Sequence, residues 1–204
     1  MFQVVYVIDD EVAICRALTK ILDDVGHVVE CFATAEEFLA VCERNFRGCI
    51  ITDVNMPGMS GLLLQDELKR RGVSLPIIFM TGYGRVESAV QAMKKGAVDF
   101  LEKPVSPEQL IERVEQALAY DRRQHQLATA ARKLNERIAY LTPREKEVIK
   151  LVAEGRTNKE AAKALGISFR TVEKYRAGAM AKLKISSAME LSEAAKLLID
   201  SVTE

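Results

Sequence analysis

The sequence predicts a doubly wound α/β domain over residues 1–120 and an all-helical domain near the C-terminus, and three observations carry that division. Five short apolar runs rich in β-branched and aromatic residues alternate with amphipathic stretches in the first part. From Pro107 the pattern turns helical and polar, with no glycine and no internal proline before Ala139. The net charge of zero is a sum of opposites: residues 1–120 hold 12 basic and 18 acidic side chains, a net of −6, and residues 121–204 hold 17 and 11, a net of +6. Opposed halves suggest two domains with different partners, the basic one suited to a polyanion.

The apolar runs are Val4 to Ile8, Val28 to Phe32, Cys49 to Thr52, Ile77 to Met80 and Val98 to Leu101, each too short for a helix. Between them Ile14, Leu18, Ile21 and Leu22, and later Val86, Ala89, Val90 and Met93, keep helical spacing. Strands alternating with helices imply a mostly parallel sheet covered on both faces, joined by right-handed crossovers in a flavodoxin-like manner. Met1 to Ile8 is apolar but lacks a basic flank and runs into Asp9-Asp10-Glu11, so it reads as a buried strand and not as a signal peptide. No apolar run approaches membrane-spanning length. Four cysteines at irregular spacing and two histidines supply neither a disulfide framework nor a metal knuckle. A cytoplasmic, reducing compartment is the expectation.

The connector, residues 121–139, reads as a stiff helix. Leu127, Ala131, Leu134, Ile138 and Leu141 fall at spacings of 4, 3, 4 and 3. That stripe supports two readings, a solvated helix leaning on a neighbouring domain and a short intermolecular coiled coil. Residues 140–204 read as four helices. Thr142-Pro143-Arg144-Glu145 opens the first, Asn158 a short second, and Ser168 caps a third that runs to about Lys184. A last helix begins near Ser186 and carries Leu191, Ala194, Ala195 and Leu198 on one face. Asn158 to Lys184, with Leu165-Gly166 at its break, matches a helix-turn-helix.

In a doubly wound sheet the functional crevice lies at the carboxyl ends of the strands. Asp9 and Asp10 end the first predicted strand, Asp53 the third and Thr81 the fourth, while Lys103 follows the fifth. Three crowded carboxylates need a cation, and hard oxygen ligands suit Mg²⁺. A lysine and a hydroxyl facing them suit a phosphoryl group, and an Asp carboxylate can itself be the nucleophile. Taken singly, each residue has a plainer reading: Asp10 as a helix cap, Asp53 to Gly58 as a turn, Phe100 as core. The order Asp-Asp, Asp, Thr, Lys at successive strand ends is the strong signal.

These residues, with Asp53-Val54-Asn55-Met56-Pro57-Gly58, Met80-Thr81-Gly82 and Gly96 to Pro104, resemble the receiver domain of two-component response regulators. The resemblance implies strand order 2-1-3-4-5 and phosphorylation of Asp53 by a sensor histidine kinase. It implies Mg²⁺ or Mn²⁺ held by Asp10, Asp53 and the main-chain carbonyl of Asn55, with Asp9 assisting through water. Thr81 and Lys103 would bind the phosphoryl oxygens, Phe100 would be an aromatic whose rotamer follows Thr81, and the Lys103–Pro104 bond would be cis.

Between Arg156 and Lys184 eight basic side chains stand against Glu160 and Glu173, a net of +6. Such an excess favours nucleic-acid phosphates, although a solvated helix face is the plainer reading of Lys163 and Lys184. Val172, Ala179, Met180 and Leu183 mark the buried stripe of the third helix, leaving Arg170, Thr171, Lys174 and Arg176 largely outside it. Asn158, Lys159 and Lys182 complete the expected DNA contacts. The stretch Leu141 to Leu183, with Asn158-Lys159-Glu160, Gly166-Ile167-Ser168 and Arg170-Thr171-Val172-Glu173, resembles a LuxR-type DNA-binding domain. With this receiver it is similar to the FixJ branch of the NarL/FixJ regulators. Tyr175 stands where His is usual and Phe169 where Pro is frequent, so base preference does not carry over. By the same resemblance Leu191, Ala194 and Leu198 would form a dimer contact, against a reading in which part of that stripe packs inward.

The expected function is therefore a phosphorylation-dependent, DNA-binding transcription regulator and not an enzyme. Its partners would be a histidine kinase, double-stranded DNA, RNA polymerase and, when phosphorylated, a second copy, with no membrane. Two alternatives are a receiver acting as a protein-interaction adaptor and a phosphohydrolase with Asp53 as nucleophile.

Overall fold

A computed structural model describes residues 2–82, 99–187, 190, 191, 194 and 195. The chain divides into two compact units, residues 1–125 and 126–204. The predicted helix bearing Val86, Ala89, Val90 and Met93 lies outside the described residues, as does Leu198.

In the first unit β1 (Val4–Ile8), β2 (Val28–Phe32), β3 (Gly48–Asp53), β4 (Ile77–Thr81) and β5 (Asp99–Glu102) form one parallel sheet in the order β2-β1-β3-β4-β5. Alternation along each strand sends side chains to opposite faces, and each face has its own core. Tyr6, Ile8, Ile50 and Phe79 pack with Phe38 of α2 (Ala35–Val41) and with Leu64 and Leu68 of α3 (Gly61–Arg71). On the other face Val5, Val7, Ile51, Ile78 and Met80 pack with Leu18 and Leu22 of α1 (Val12–Asp23) and with Leu110, Val114 and Ala117 of α4 (Pro107–Ala139). The central strands are buried on both sides, whereas β2, at an edge, is largely exposed.

Gly48 opens β3 at φ +133°, where a Cβ would lie 1.8 Å from the Val4 carbonyl oxygen. Only glycine lets β3 start against β1 there. Beside it a buried carboxylate ties α4 to this end of the sheet. Asp121 Oδ2 accepts from Arg47 Nη2 at 2.8 Å, from Gln3 Nε2 at 2.7 Å and from the Gly48 N–H at 3.2 Å.

The second unit contains α5 (Pro143–Ala153), α6 (Asn158–Leu165) and α7 (Phe169–Leu183). Each start is set by a side chain. Thr142 and Thr157 form capping boxes with Glu145 and Glu160, and Ser168 accepts from the Thr171 N–H. Gly166, in the left-handed region at φ 66°, ends α6 and makes the turn to α7. Ile138 and Leu141 are buried in this unit's core with Ile149, Ala179 and Leu183. Leu127, by contrast, is 56% exposed. The C-terminal end of the heptad stripe is thus taken up by the unit's own core, while Leu127 and Ala131 at its other end are exposed.

Leu191, Ala194 and Ala195 are fully buried in the same cluster. That corrects the expectation that Leu191 and Ala194 offer a dimer surface: their apolar face covers Leu183 and its neighbours.

Candidate functional site

The strand register delivers four side chains to one edge. Asp53, the last residue of β3, pairs with Met80, and Thr81 pairs with Glu102 at the end of β5. The Lys103 N–H donates to the Thr81 carbonyl at 2.7 Å, which brings the lysine back over the sheet edge. Its ammonium bridges two carboxylates, 2.9 Å from Asp9 Oδ2 and 2.6 Å from Asp53 Oδ2. The remaining oxygens are also held: Asp9 Oδ1 accepts from the Glu11 N–H at 2.9 Å and Asp53 Oδ1 from the Asn55 N–H at 2.8 Å. The three side chains are 3, 12 and 15% exposed for Asp9, Asp53 and Lys103. Burial opposes the charge on Lys103, but hydrogen bonds to Asp53 and Asp9 outweigh it and hold the ammonium's pKa above its ordinary value.

Gly61 sets the close packing behind Asp53, since a Cβ there would lie 2.3 Å from the Asp53 carbonyl oxygen. The loop between them is pinned by Glu36, whose Oε1 accepts from the Met59 N–H at 3.1 Å. Beneath Asp9 the Cys15 thiol donates to the Asp9 carbonyl at 3.6 Å, and burial, then the neighbouring Cys31, pushes its pKa up to about 12.

Asp10 does not join the bridge. Asp9 turns into the site and its neighbour Asp10 outward, where it is exposed. Among the described residues no three His, Cys, Asp or Glu side chains draw together closely enough to form a metal cage. Lys103 thus bridges two of the three expected carboxylates, while Asp10 stands exposed at the rim of the same strand end. Thr81 is buried beside Lys103, and the Lys103–Pro104 bond is cis. Phe100 is half-buried, its ring centroid 6.5 Å from that of Phe79.

The basic surface of the second unit sorts into exposed and engaged groups. Lys159, Arg170 and Lys174 are exposed. Asn158 is partly buried, its Oδ1 accepting from Arg176 Nη1 at 3.1 Å, so these two residues join α6 to α7. Thr171 Oγ1 lies 2.8 Å from Ser168 Oγ at the helix cap. Lys182, expected among the DNA contacts, lies 2.7 Å from the buried carboxylate of Glu145. Gly178 lets that carboxylate approach α7, where a Cβ would sit 3.0 Å from Glu145 Oε1. Burial works against the charge on Glu145, but Lys182 and Thr142 outweigh it and hold the pKa below the ordinary 4.5.

Comparison with known proteins agrees with both halves. Residues 5–115 match the response regulator receiver domain, and residues 139–195 match the bacterial regulatory proteins of the luxR family. The chain is 41% identical over 199 residues to the response regulator protein TodT of Pseudomonas putida, covering 98% of this chain and 88% of that one. It is 44% identical over 193 residues to the transcriptional regulatory protein FixJ of Azorhizobium caulinodans, covering 95% and 92%. The solved structure of the response regulator StyR superposes with a TM-score of 0.81 at 34% identity, covering 96% and 99%. The chain belongs to the NarL/FixJ family of two-component response regulators. A receiver joined to a LuxR-type domain makes this response regulator a phosphorylation-dependent transcription regulator and not an enzyme, which sets the phosphohydrolase alternative aside.

Two contacts of this regulator were not visible in its sequence. Glu36 lies 23 residues from the loop it pins, and nothing in an acidic pair on a helix marks one member as a loop anchor. The Glu145–Lys182 pair spans 37 residues, and Lys182 alone looks like any basic residue on a charged helix.

Proposed function

We propose that Asp53 accepts a phosphoryl group from the phosphohistidine of a sensor kinase and that the charged product governs DNA binding by residues 140–204. Residues 1–120 act as the receiver and residues 121–139 as its helical connector. The observation that carries this is the Lys103 ammonium between Asp9 and Asp53.

In the transfer a carboxylate oxygen of Asp53 attacks phosphorus, the P–N bond breaks, and the imidazole leaves. Asp53 then carries close to two negative charges instead of one. Lys103, already 2.6 Å from Asp53, is placed to follow the charge onto the phosphoryl oxygens while keeping Asp9. Thr81 offers its hydroxyl to the same oxygens, and space it vacates admits the half-buried Phe100 ring, altering the surface beside β5. Asp9, Asp10 and Asp53 against one ammonium leave two formal negative charges. Asp53, the rim carboxylate of Asp10 and the Asn55 carbonyl are oxygen donors of the kind a divalent cation such as Mg²⁺ or Mn²⁺ takes, and they would hold it at this strand end. When bound it would neutralise the phosphoryl oxygens and screen Asp53 from its neighbours.

On the DNA side, Lys159, Arg170 and Lys174 face the duplex, with Asn158, Thr171 and Arg176 shaping that surface and Lys182 contributing mainly through Glu145. Two copies would bind half-sites about one helical turn apart and contact RNA polymerase in the cytoplasm. No described helix is long and apolar enough to cross a membrane. Intact-mass measurement after treatment with an acyl-phosphate donor and Mg²⁺ tests the first step. Wild type gains one phosphoryl group and Asp53→Asn gains none, whereas equal gain would overturn the assignment.

A further inference from the structure

We propose that Phe169 reads a base, its ring meeting the 5-methyl group of a thymine in the major groove. The inference rests on the DNA-binding reading above and adds the chemistry by which one base is recognised.

Phe169 is the first residue of α7, directly after the cap Ser168. Helical side chains tilt toward the N-terminus, so the ring projects at the end of the helix that enters the groove in helix-turn-helix docking. It is 49% exposed and belongs neither to the cluster around Ile149 and Leu183 nor to a smaller one formed by Val148, Ala161, Ala162 and Val172. The hydroxyls of the same turn face one another: Ser168 Oγ accepts from the Thr171 N–H at 3.1 Å and lies 2.8 Å from Thr171 Oγ1. The tip of the helix therefore presents one aromatic ring and the exposed Arg170.

The surroundings say what such a ring meets. Lys159, Lys163, Arg170 and Lys174 are all exposed on α6 and α7, and Glu160, one of two carboxylates in the segment, is locked into its capping box. A basic surface of this kind disfavours an apolar protein partner and favours a polyanion. In the major groove the base edges present donors, acceptors and a single methyl group, that of thymine. An exposed apolar ring among cations thus has one complementary feature on a duplex, with Arg170 beside it for a phosphate or a guanine.

The test uses the full chain treated with a phosphodonor and a duplex selected from random-sequence DNA. Each thymine is replaced in turn by uracil, which removes only the methyl group. At one thymine in each half-site the replacement weakens wild-type binding about fourfold, the worth of one buried methyl-sized group. Phe169→Ala binds the thymine and uracil duplexes equally, while Phe169→Leu, which keeps an apolar contact, retains the sensitivity. Wild type indifferent to every replacement, or Phe169→Ala as sensitive as wild type, overturns the proposal and leaves DNA binding standing. Failure to recover any bound duplex overturns the DNA-binding reading and this inference with it.

Discussion

The two charged regions of this regulator are built in opposite ways. At the sheet edge of the first unit Asp9, Asp53 and Lys103 are mostly buried, and each oxygen and the ammonium has a partner within hydrogen-bond distance. On α6 and α7 of the second unit Lys159, Arg170 and Lys174 stand in solvent, and the engaged groups are those that hold the helices together. In the first region the residues that hold the sheet edge are also those the proposed phosphoryl transfer uses. In the second the two roles divide: Arg176 and Lys182 are held by side-chain oxygens of Asn158 and Glu145, while Lys159, Arg170 and Lys174 stay in solvent, available to a ligand in the proposed function.

Substitutions sharpen that contrast, beginning with the largest effect. Asp121→Ala strands the mostly buried Arg47 guanidinium and should destabilise the first unit by about 3–5 kcal/mol, measured by urea unfolding. Gly61→Ala forces a Cβ toward the Asp53 carbonyl, with an expected cost of about 3 kcal/mol and a larger proportional loss of phosphorylation, because the displaced atom belongs to the acceptor residue. Retained phosphorylation at reduced stability would separate the site from its packing.

Lys182→Ala should cost the second unit about 1–2 kcal/mol, discounted because Lys182 is 38% exposed. The pH dependence follows the same pair. The folded pKa of Glu145 is depressed, so its contribution is fully present above the ordinary 4.5 and is lost as pH falls through the lower folded value. Melting curves of Glu145→Gln should lack that acid-side loss. Smallest in stability are Lys159→Ala, Arg170→Ala and Lys174→Ala, each within about 0.5 kcal/mol of wild type. Each should nonetheless weaken operator binding and lower the salt slope by about one if it contacts a phosphate. Lys182→Ala with a full unit of lost slope would dissolve the distinction between the two kinds of basic residue.

The same contrast explains what could be read from sequence. The receiver edge was legible because β-branched runs fix the strands, and parallel register then places Asp53, Thr81 and Lys103 at one end. Asp10 ends beside this edge but exposed, where its spacing alone did not place it. The helix starts were legible because Thr142, Thr157 and Ser168 cap locally. Contacts between distant, ordinary-looking residues were not. Asp121 sits in a charged helical run that reads as solvated, yet it closes on Arg47, 74 residues away. Leu191 and Ala194 form an apolar stripe whose partner is not encoded in its own spacing, and here the partner is the unit's core.

The central claim is that the paired site at Asp53 controls the exposed surface on α7. It is tested most directly by the affinity of wild type and Asp53→Asn for one operator duplex, with and without an acyl-phosphate donor and Mg²⁺. Wild type should tighten about 5- to 150-fold on treatment, the usual range of coupling between sites, and Asp53→Asn should not change. Equal affinities for treated wild type and treated Asp53→Asn would contradict the account.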